Sequence, residues 1–261
     1  DTTHYTFKKA PARCEPCAAG KWSDQEGRTT ACDQNCAAGH FCPEGSTNER
    51  GMVSTIERES VVFLDASAAT NAGRKTCIID SAGMTEWKIY NGADASKPKL
   101  HHGRMAWNLD GTFLKKEGGP TITLGQYYTN AFWVYWRASN AGYRTLFRGS
   151  DDHWALTNTE TKTLGFWSNR DGNWRTTSPE YNIVTGKWQF VVVTGAGNSA
   201  ASSRGTSTFY VGDEDTAPAL VGTADRVASG TTFNLLGTVG QGPGRIASAM
   251  AWNRALSAAG L

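Results

Sequence analysis

The sequence lacks several features that mark common classes of protein. No run approaches the roughly 18 apolar residues that a membrane-spanning helix needs. Lys plus Arg (26) nearly balance Asp plus Glu (24), so the net charge is only +2. We therefore expect no membrane span in this chain and no nucleic acid partner. The first residues carry no basic stretch followed by an apolar one, so we interpret the sequence as a mature or trimmed form.

Catalytic patterns are equally scarce. The chain contains no Gly-x-Ser-x-Gly motif, and it lacks the Glu-x-Asp-x-Glu alternation that places two glycosidase carboxylates on one strand face. The acidic run Asp213-Glu214-Asp215 is consecutive, so its side chains do not share a face. We interpret His101 and His102 as a solvated pair in a loop rather than as metal ligands. The protein is therefore expected not to be an enzyme.

The cysteines are crowded near the start of the chain. Their segment is punctuated by Gly and Pro and is too polar to form a core. The chain has six cysteines, an even number, of which five lie in this segment and Cys77 stands alone further on, and this pattern predicts disulfide bonds and an extracellular location. The alternative is a zinc site with nearly four-thiolate spacing, but zinc would leave two cysteines unexplained. The predicted disulfide residues are Cys14, Cys17, Cys32, Cys36, Cys42 and Cys77.

A short repeat lies inside this segment. Cys-Ala-Ala-Gly occurs at 17–20 and again at 36–39, and an aromatic residue follows each copy. The repeat resembles the cysteine-rich repeats of ephrin-receptor-like and TNF-receptor-like modules. That resemblance implies an extracellular stalk or spacer and says little about a ligand.

Most of the remaining sequence has the pattern of short strands separated by turns. Phe132, Val134 and Trp136 alternate with bulky neighbours, which predicts an inner strand with one face in the core and the other on a concave aromatic surface. Residues 164–195 predict two strands with a tight turn at Asp171-Gly172 and an exposed polar segment between them. Helical periodicity is nearly absent. The expected fold class is mainly β, an antiparallel two-sheet jelly-roll β-sandwich with a small disulfide-rich N-terminal module.

Several motifs of the C-terminal part resemble those of laminin-G-like and pentraxin-like domains, which share the concanavalin-A-like jelly roll. They include Leu109-Asp110-Gly111, Thr185-Gly186-Lys187-Trp188 and the closing stretch 251–257. The resemblance covers about residues 104–261. With the cysteine pattern it predicts an N-terminal strand or arm at 1–10, a cysteine-rich module at 11–50, a connector with strands at 51–103 and the sandwich at 104–261.

The resemblance also raises the question of calcium. Asp151 and Asp152 match the position of a pentraxin-like acidic pair, but the second ligand set does not match. Residues 236–242 offer only Gln241 there, whereas Ca²⁺ takes about six to eight oxygens. No cofactor is required, and the metal alternative that we keep is one weakly bound Ca²⁺ at Asp151 and Asp152, joined by Asp110.

Tryptophan is abundant, with ten residues. Most of these side chains are expected in the core, but rings exposed on a sheet suit sugars, whose C–H groups stack on aromatic faces. The residues predicted to bind a ligand are Trp167, Asn169, Arg170, Asn173 and Trp174.

These patterns predict a non-catalytic, extracellular recognition or adhesion module. Its partners would be glycans, or proteins of the matrix or cell surface. The alternative is a structural subunit of a self-assembling extracellular fibre or surface layer. The stretch from Thr3 to Lys9 has strand character without a neighbour to pair with, and such a strand can complete the open sheet edge of another copy.

Overall fold

Alternating apolar and polar residues form antiparallel strands through most of the described chain. The computed structural model describes residues 21–23, 32, 34–35, 60–69, 78–79, 86–90, 98–118, 121–124, 127–136, 142–149, 152–158, 161–168, 172–196, 205–226, 232–237 and 240–257. The chain divides into two compact units, Asp1–Ser54 and Thr55–Leu261. The finer boundaries predicted at residues 10, 50 and 103 stay predictions.

In the first unit, the described residues form a two-stranded antiparallel ladder of Lys21–Trp22 (β1) and Gln34–Asn35 (β2). Cys32 is disulfide-bonded. The other five cysteines of the predicted disulfide set lie outside the described residues.

The second unit contains one short helix and a long series of strands. In chain order they are Val62–Asp65 (β3), Ala66–Ala69 (α1), Ile78–Ile79 (β4), Glu86–Tyr90 (β5), Lys99–His101 (β6), Arg104–Asn108 (β7), Phe113–Gly118 (β8), Ile122–Thr123 (β9), Tyr128–Trp136 (β10), Tyr143–Gly149 (β11), Asp152–Asn158 (β12), Thr163–Ser168 (β13), Asn173–Thr176 (β14), Trp188–Ala196 (β15), Gly205–Asp213 (β16), Ala219–Arg226 (β17), Thr232–Leu236 (β18) and Gly244–Trp252 (β19). Within the described ranges no helix has the length and apolar character to cross a membrane.

The strands form two antiparallel sheets. Sheet I has the order β17-β16-β15-β10-β19-β7-β6, and β3 also pairs with β19. Sheet II has the order β14-β13-β12-β11-β18-β8-β5-β4, and β9 pairs with β18. The prediction of a mainly β fold built from antiparallel sheets is confirmed.

Side chains from both sheets meet in one apolar core. Strand β10, at the middle of sheet I, directs Phe132, Val134 and Trp136 into this core, as their alternation predicts. Phe132 meets Phe147 of sheet II edge to face, with ring centroids 4.8 Å apart and planes at 64°. Such a pair contributes about 0.5–1.5 kcal/mol beyond the area that it buries. Among the side chains whose burial the structure describes, five tryptophans are buried, namely Trp87, Trp107, Trp136, Trp188 and Trp252.

Residues 164–195 contain three strands rather than the two predicted. The additional strand is β14, which lies at the start of the segment expected to be exposed and polar. It forms by antiparallel pairing with β13, and Gly172, directly before it, has the positive φ of 66° that favours glycine. After β14, Ser178 pairs with Thr223 of β17, with 2.7 Å between the Ser178 N and the Thr223 O. The segment therefore passes from the edge of sheet II to the edge of sheet I.

Candidate functional site

The β13–β14 hairpin presents two of the predicted ligand-binding residues on the outer face of sheet II. Strand β13 alternates, so Leu164 and Phe166 are fully buried in the core and Trp167 points the other way and is half-buried. The antiparallel register sets Trp167 directly opposite Trp174 and sets Gly165 opposite Thr176. Both indoles therefore belong to the same face of one hairpin.

Gly165 makes room for the indole of Trp174. A Cβ atom added at Gly165 would lie 2.7 Å from Cη2 and 2.9 Å from Cζ2 of Trp174, and it would also collide with the carbonyl oxygen of Arg175. The benzene part of the Trp174 indole thus lies across the neighbouring strand, over a position that only glycine can occupy without displacement. The position of the Trp174 indole therefore depends on the absence of a side chain at Gly165.

A third ring, that of Tyr143 at the start of β11, completes the site. Its centroid lies 5.4 Å from that of Trp167 and 5.6 Å from that of Trp174, with the planes tilted by 55° and 52°. We call Tyr143, Trp167 and Trp174 the three-ring surface. Tyr143 was not among the residues predicted to bind a ligand, because the sequence does not show that β11 brings its ring against the β13–β14 hairpin. All three residues are half-buried.

Of the remaining predicted ligand-binding residues, the structure describes only Asn173. Asn173 is exposed beside Trp174. Asn169 and Arg170 lie outside the described residues. The structure thus brings Trp167, Asn173 and Trp174 together on one hairpin.

The predicted calcium ligands are described only in part. Asp151 lies outside the described residues, and Asp152 begins β12, where its backbone is opposite Ser168. Among the residues that the structure describes, no three His, Cys, Asp or Glu side chains are grouped closely enough to hold a metal ion. The calcium site therefore stays a prediction.

The outer face of sheet I carries a second group of rings, which the β6–β7 hairpin covers. The two central residues of its turn, His102 and Gly103, have φ values of 43° and 81°. Positive φ at both positions gives the tight turn that suits the right-handed twist of paired strands. The turn places His102 on Tyr135, with centroids 5.0 Å apart and planes at 8°. Trp188 donates its indole N–H to the carbonyl oxygens of His101, at 3.2 Å, and His102, at 3.1 Å.

These contacts correct the interpretation of the two histidines as a solvated pair. His101 is half-buried, and its ring meets that of Tyr135 edge to face at 4.5 Å. Its Nε2 atom is buried, and none of the residues that the structure describes forms a hydrogen bond with that atom. Burial is the main cause of the lowered pKa of His101. The nearby positive charge of Arg245 lowers this pKa further, and His102 makes the third contribution. The group is held neutral in the folded protein.

Arg104 of the same hairpin covers Trp133. Its Cζ atom lies 3.9 Å from the centroid of the Trp133 ring, and its Nε lies 3.3 Å from Oε1 of Glu214. The sequence predicts a concave aromatic surface on this face of β10. Trp133 and Tyr135 do face away from the core, but a guanidinium and an imidazole cover them. Their ring faces are occupied by the protein's own side chains.

Asp213, the first residue of the acidic run, organises a turn. Its Oδ1 accepts hydrogen bonds from the Asp215 N–H at 3.1 Å, the Thr216 N–H at 3.0 Å and the Thr216 hydroxyl at 2.7 Å. Its Oδ2 accepts from Lys187. The Lys187 hydrogen bond is the main cause of a strongly lowered pKa for Asp213, followed by the bonds from Thr216 and Asp215. The carboxylate is kept ionised, whereas a general acid needs a raised pKa.

Solved structures show similarity in fold. The sialidase of Trypanosoma rangeli in complex with sialic acid superposes with a TM-score of 0.53 at 14% identity, over 81% of this chain and 33% of that chain. The same sialidase with 2,3-difluoro-KDN gives 0.51 at 16% identity, over 81% and 33%. A mutant of HCR/D gives 0.52 at 12% identity, over 79% and 50%. At such identities the likeness establishes the fold alone, and this chain spans about a third of the sialidase chains.

Sequence comparison assigns the family. No curated protein matches the chain. The family model described as the concanavalin A-like lectin/glucanases superfamily matches residues 114–260, more than half of the chain. This range agrees with the part that resembles laminin-G-like domains, and its fold is the two-sheet arrangement described above. The chain belongs to the concanavalin A-like lectin/glucanase superfamily.

Proposed function

We propose that this protein is a non-catalytic recognition module that binds glycans at the three-ring surface. The observation that carries the proposal is the grouping of Tyr143, Trp167 and Trp174 on the outer face of sheet II, where the centroid of Tyr143 lies 5.4 Å from that of Trp167 and 5.6 Å from that of Trp174. Aromatic faces carry partial negative charge and attract the C–H groups of sugars.

The absence of catalysis is part of the proposal. A glycosidase needs two carboxylates about 5–9 Å apart, one of them with a raised pKa. The acidic run on sheet I offers Asp213 with a lowered pKa, and its oxygens are occupied by the turn that it organises. Glu214 pairs with Arg104. These carboxylates have structural roles in the described part of the chain.

We also propose that the protein is extracellular. Cys32 is disulfide-bonded, and disulfides persist in oxidising compartments. Glycans and matrix or cell-surface proteins are the partners found there. We propose that the module acts as part of a secreted or cell-surface protein.

A glycan array tests this function. The protein should bind a defined set of glycans. The array is run with calcium and with a chelator, and a glycan that binds only with calcium would support the calcium site predicted at Asp151 and Asp152. Each bound glycan is then incubated with the protein, and the products are separated by chromatography. An array without any bound glycan rules out recognition, and cleavage of a bound glycan rules out the non-catalytic role.

A second candidate function is assembly with copies of the same chain. Two of the largest exposed apolar side chains, Leu100 at 71% and Leu220 at 63%, lie on β6 and β17, the two end strands of sheet I. Edge strands with exposed apolar residues template the addition of further strands. Light scattering after size-exclusion chromatography should then show oligomers that the double substitution Leu100→Glu with Leu220→Glu disperses. A monomer at every concentration removes this candidate.

A further inference from the structure

The angles between the three rings restrict the physical form of the glycan. Tyr143 is tilted by 55° against Trp167 and by 52° against Trp174. A flat ligand surface parallel to either indole therefore meets Tyr143 at more than 50° and touches only a ring edge. The three rings cannot all stack on one plane at the same time.

The supports of the rings keep this shape. Trp167 and Trp174 are direct cross-strand partners, and the indole of Trp174 is seated over Gly165. Tyr143 lies within 5.6 Å of both indoles and comes from β11, a strand that β12 separates from the hairpin. Rotation of one ring into the plane of another would break contacts on two different strands. The faceted surface is a property of the sheet and not of one side-chain conformer.

We propose that the three-ring surface selects single, solvated glycan chains or chain ends and discriminates against the flat faces of ordered, insoluble polysaccharide. A free chain can turn from one sugar ring to the next and follow facets at different angles. Chains packed in a crystal cannot, because their neighbours fix them in one plane. This inference rests on the proposed function, since it specifies the ligand of the same surface.

The compactness of the site supports the same ligand class. Both indole centroids lie within 5.6 Å of that of Tyr143, so the site is only a few rings across. Adsorption to an extended crystal face relies on many coplanar contacts spread over a large area. A small faceted surface gains most from a short stretch of sugar rings.

The test compares soluble and crystalline forms of the same polymers. Cellohexaose and chitohexaose are titrated against the protein by calorimetry, and microcrystalline cellulose and crystalline chitin are used in sedimentation assays. The array provides further solvated glycans. Trp174→Ala removes one ring, and Tyr210→Ala removes a half-buried ring from sheet I as the matched control. Circular dichroism checks the fold of both variants, and tryptophan fluorescence of the unsubstituted protein reports ligand contact independently of any substitution.

We expect solvated glycans to bind with a fluorescence change. Their affinity should fall at least about 30-fold in Trp174→Ala and little in Tyr210→Ala, while neither crystalline solid adsorbs the protein through Trp174. This inference is wrong if the protein adsorbs to a crystalline solid more strongly than it binds the matching hexasaccharide, and if that adsorption disappears in Trp174→Ala. Glycan binding at the three-ring surface would still hold. Failure to bind any soluble, arrayed or solid glycan overturns the proposed function itself.

Discussion

Asn130 is a polar side chain in an apolar environment. It lies on β10 between Tyr128 and Phe132, on the face that points into the core, and it is fully buried. Within the described part of the chain, neither its Oδ1 nor its Nδ2 has a hydrogen-bond partner. A buried amide without partners costs about 1–3 kcal/mol, because both groups lose their hydrogen bonds to water.

We therefore expect Asn130→Leu, which keeps a similar shape, to raise the free energy of unfolding by about 1–3 kcal/mol. Urea denaturation monitored by circular dichroism measures the change. Asn130→Ala is the control, since it removes the amide but leaves a cavity and gains less. A leucine variant less stable than the natural protein would mean that the amide makes an interaction that the core needs.

His101 gives the protein a dependence on acid. Its pKa in the folded protein is lowered, first by burial and then by Arg245 and His102. The unfolded chain, with an ordinary histidine pKa of about 6.5, takes up the proton first as the pH falls. Protonation therefore favours unfolding, so stability should decrease as the pH drops below about 6.5.

Thermal unfolding at pH 7.5 and pH 5.0 tests this dependence. His101→Gln removes the titrating group, and the loss of melting temperature between the two pH values should be smaller in this variant than in the natural protein. His102→Gln is a second comparison: because His102 is only the third cause of the lowered pKa of His101, this variant should keep most of the loss. Equal losses in the natural protein and in His101→Gln would show that burial of His101 does not cause the effect.

For single residues, the sequence predicts whether a side chain points into the core better than it predicts which residues that side chain contacts. The alternation in β10 correctly predicts that Phe132, Val134 and Trp136 enter the core. It does not predict what covers the opposite face, because the covering residues His102 and Arg104 come from a turn about 30 positions earlier. Positive φ at His102 is a product of that packing, since a non-glycine residue rarely takes it up unaided.

At the scale of elements, the β13–β14 hairpin depends on one small residue. Gly165→Ala would place a methyl group against Trp174 and the backbone of Arg175. Overpacking of this kind costs about 1–3 kcal/mol. We expect Gly165→Ala to lower the free energy of unfolding by this amount and to weaken glycan binding, since the Trp174 indole must move.

Denaturant unfolding and calorimetric titration of the same protein preparation separate the two effects. Gly142→Ala is the control for a general effect of glycine replacement, because a Cβ at that exposed turn meets no atom within 4 Å, although its φ of 88° adds local strain. If Gly165→Ala binds glycan as tightly as the natural protein, the seat of Trp174 over Gly165 is not needed for recognition.

Elements with strong patterns are predictable from this sequence, and short polar ones are not. The apolar runs of β10 and β15 and the alternation of β16 predict strands because they suit a half-buried sheet. Strand β14, with the sequence NWRT, is too short and polar to predict and forms through its pairing with β13. The β6–β7 hairpin was likewise hidden, since its function in covering Tyr135 depends on contacts between distant strands.

At the scale of the whole molecule, the aromatic residues serve three purposes. Large rings such as Phe132 and Trp136 fill the core between the sheets, and Trp188 lies in a covered cluster on the outer face of sheet I. The third purpose is the one assigned in the proposed function, glycan binding by the rings of the three-ring surface on sheet II. The abundance of tryptophan is thus mostly structural, as the sequence predicts, and the family resemblance identifies the sandwich but not the face that binds a ligand.

Calorimetric titration of a glycan from the array tests whether the three-ring surface is the glycan-binding site. The natural protein and Tyr210→Ala should bind it at one site with similar affinity, whereas Trp174→Ala should lose about 2 kcal/mol of binding free energy, roughly 30-fold in Kd, with an unchanged fold. Equal affinity of Trp174→Ala and the natural protein would contradict the account, because it would place the glycan on a different face of the sandwich.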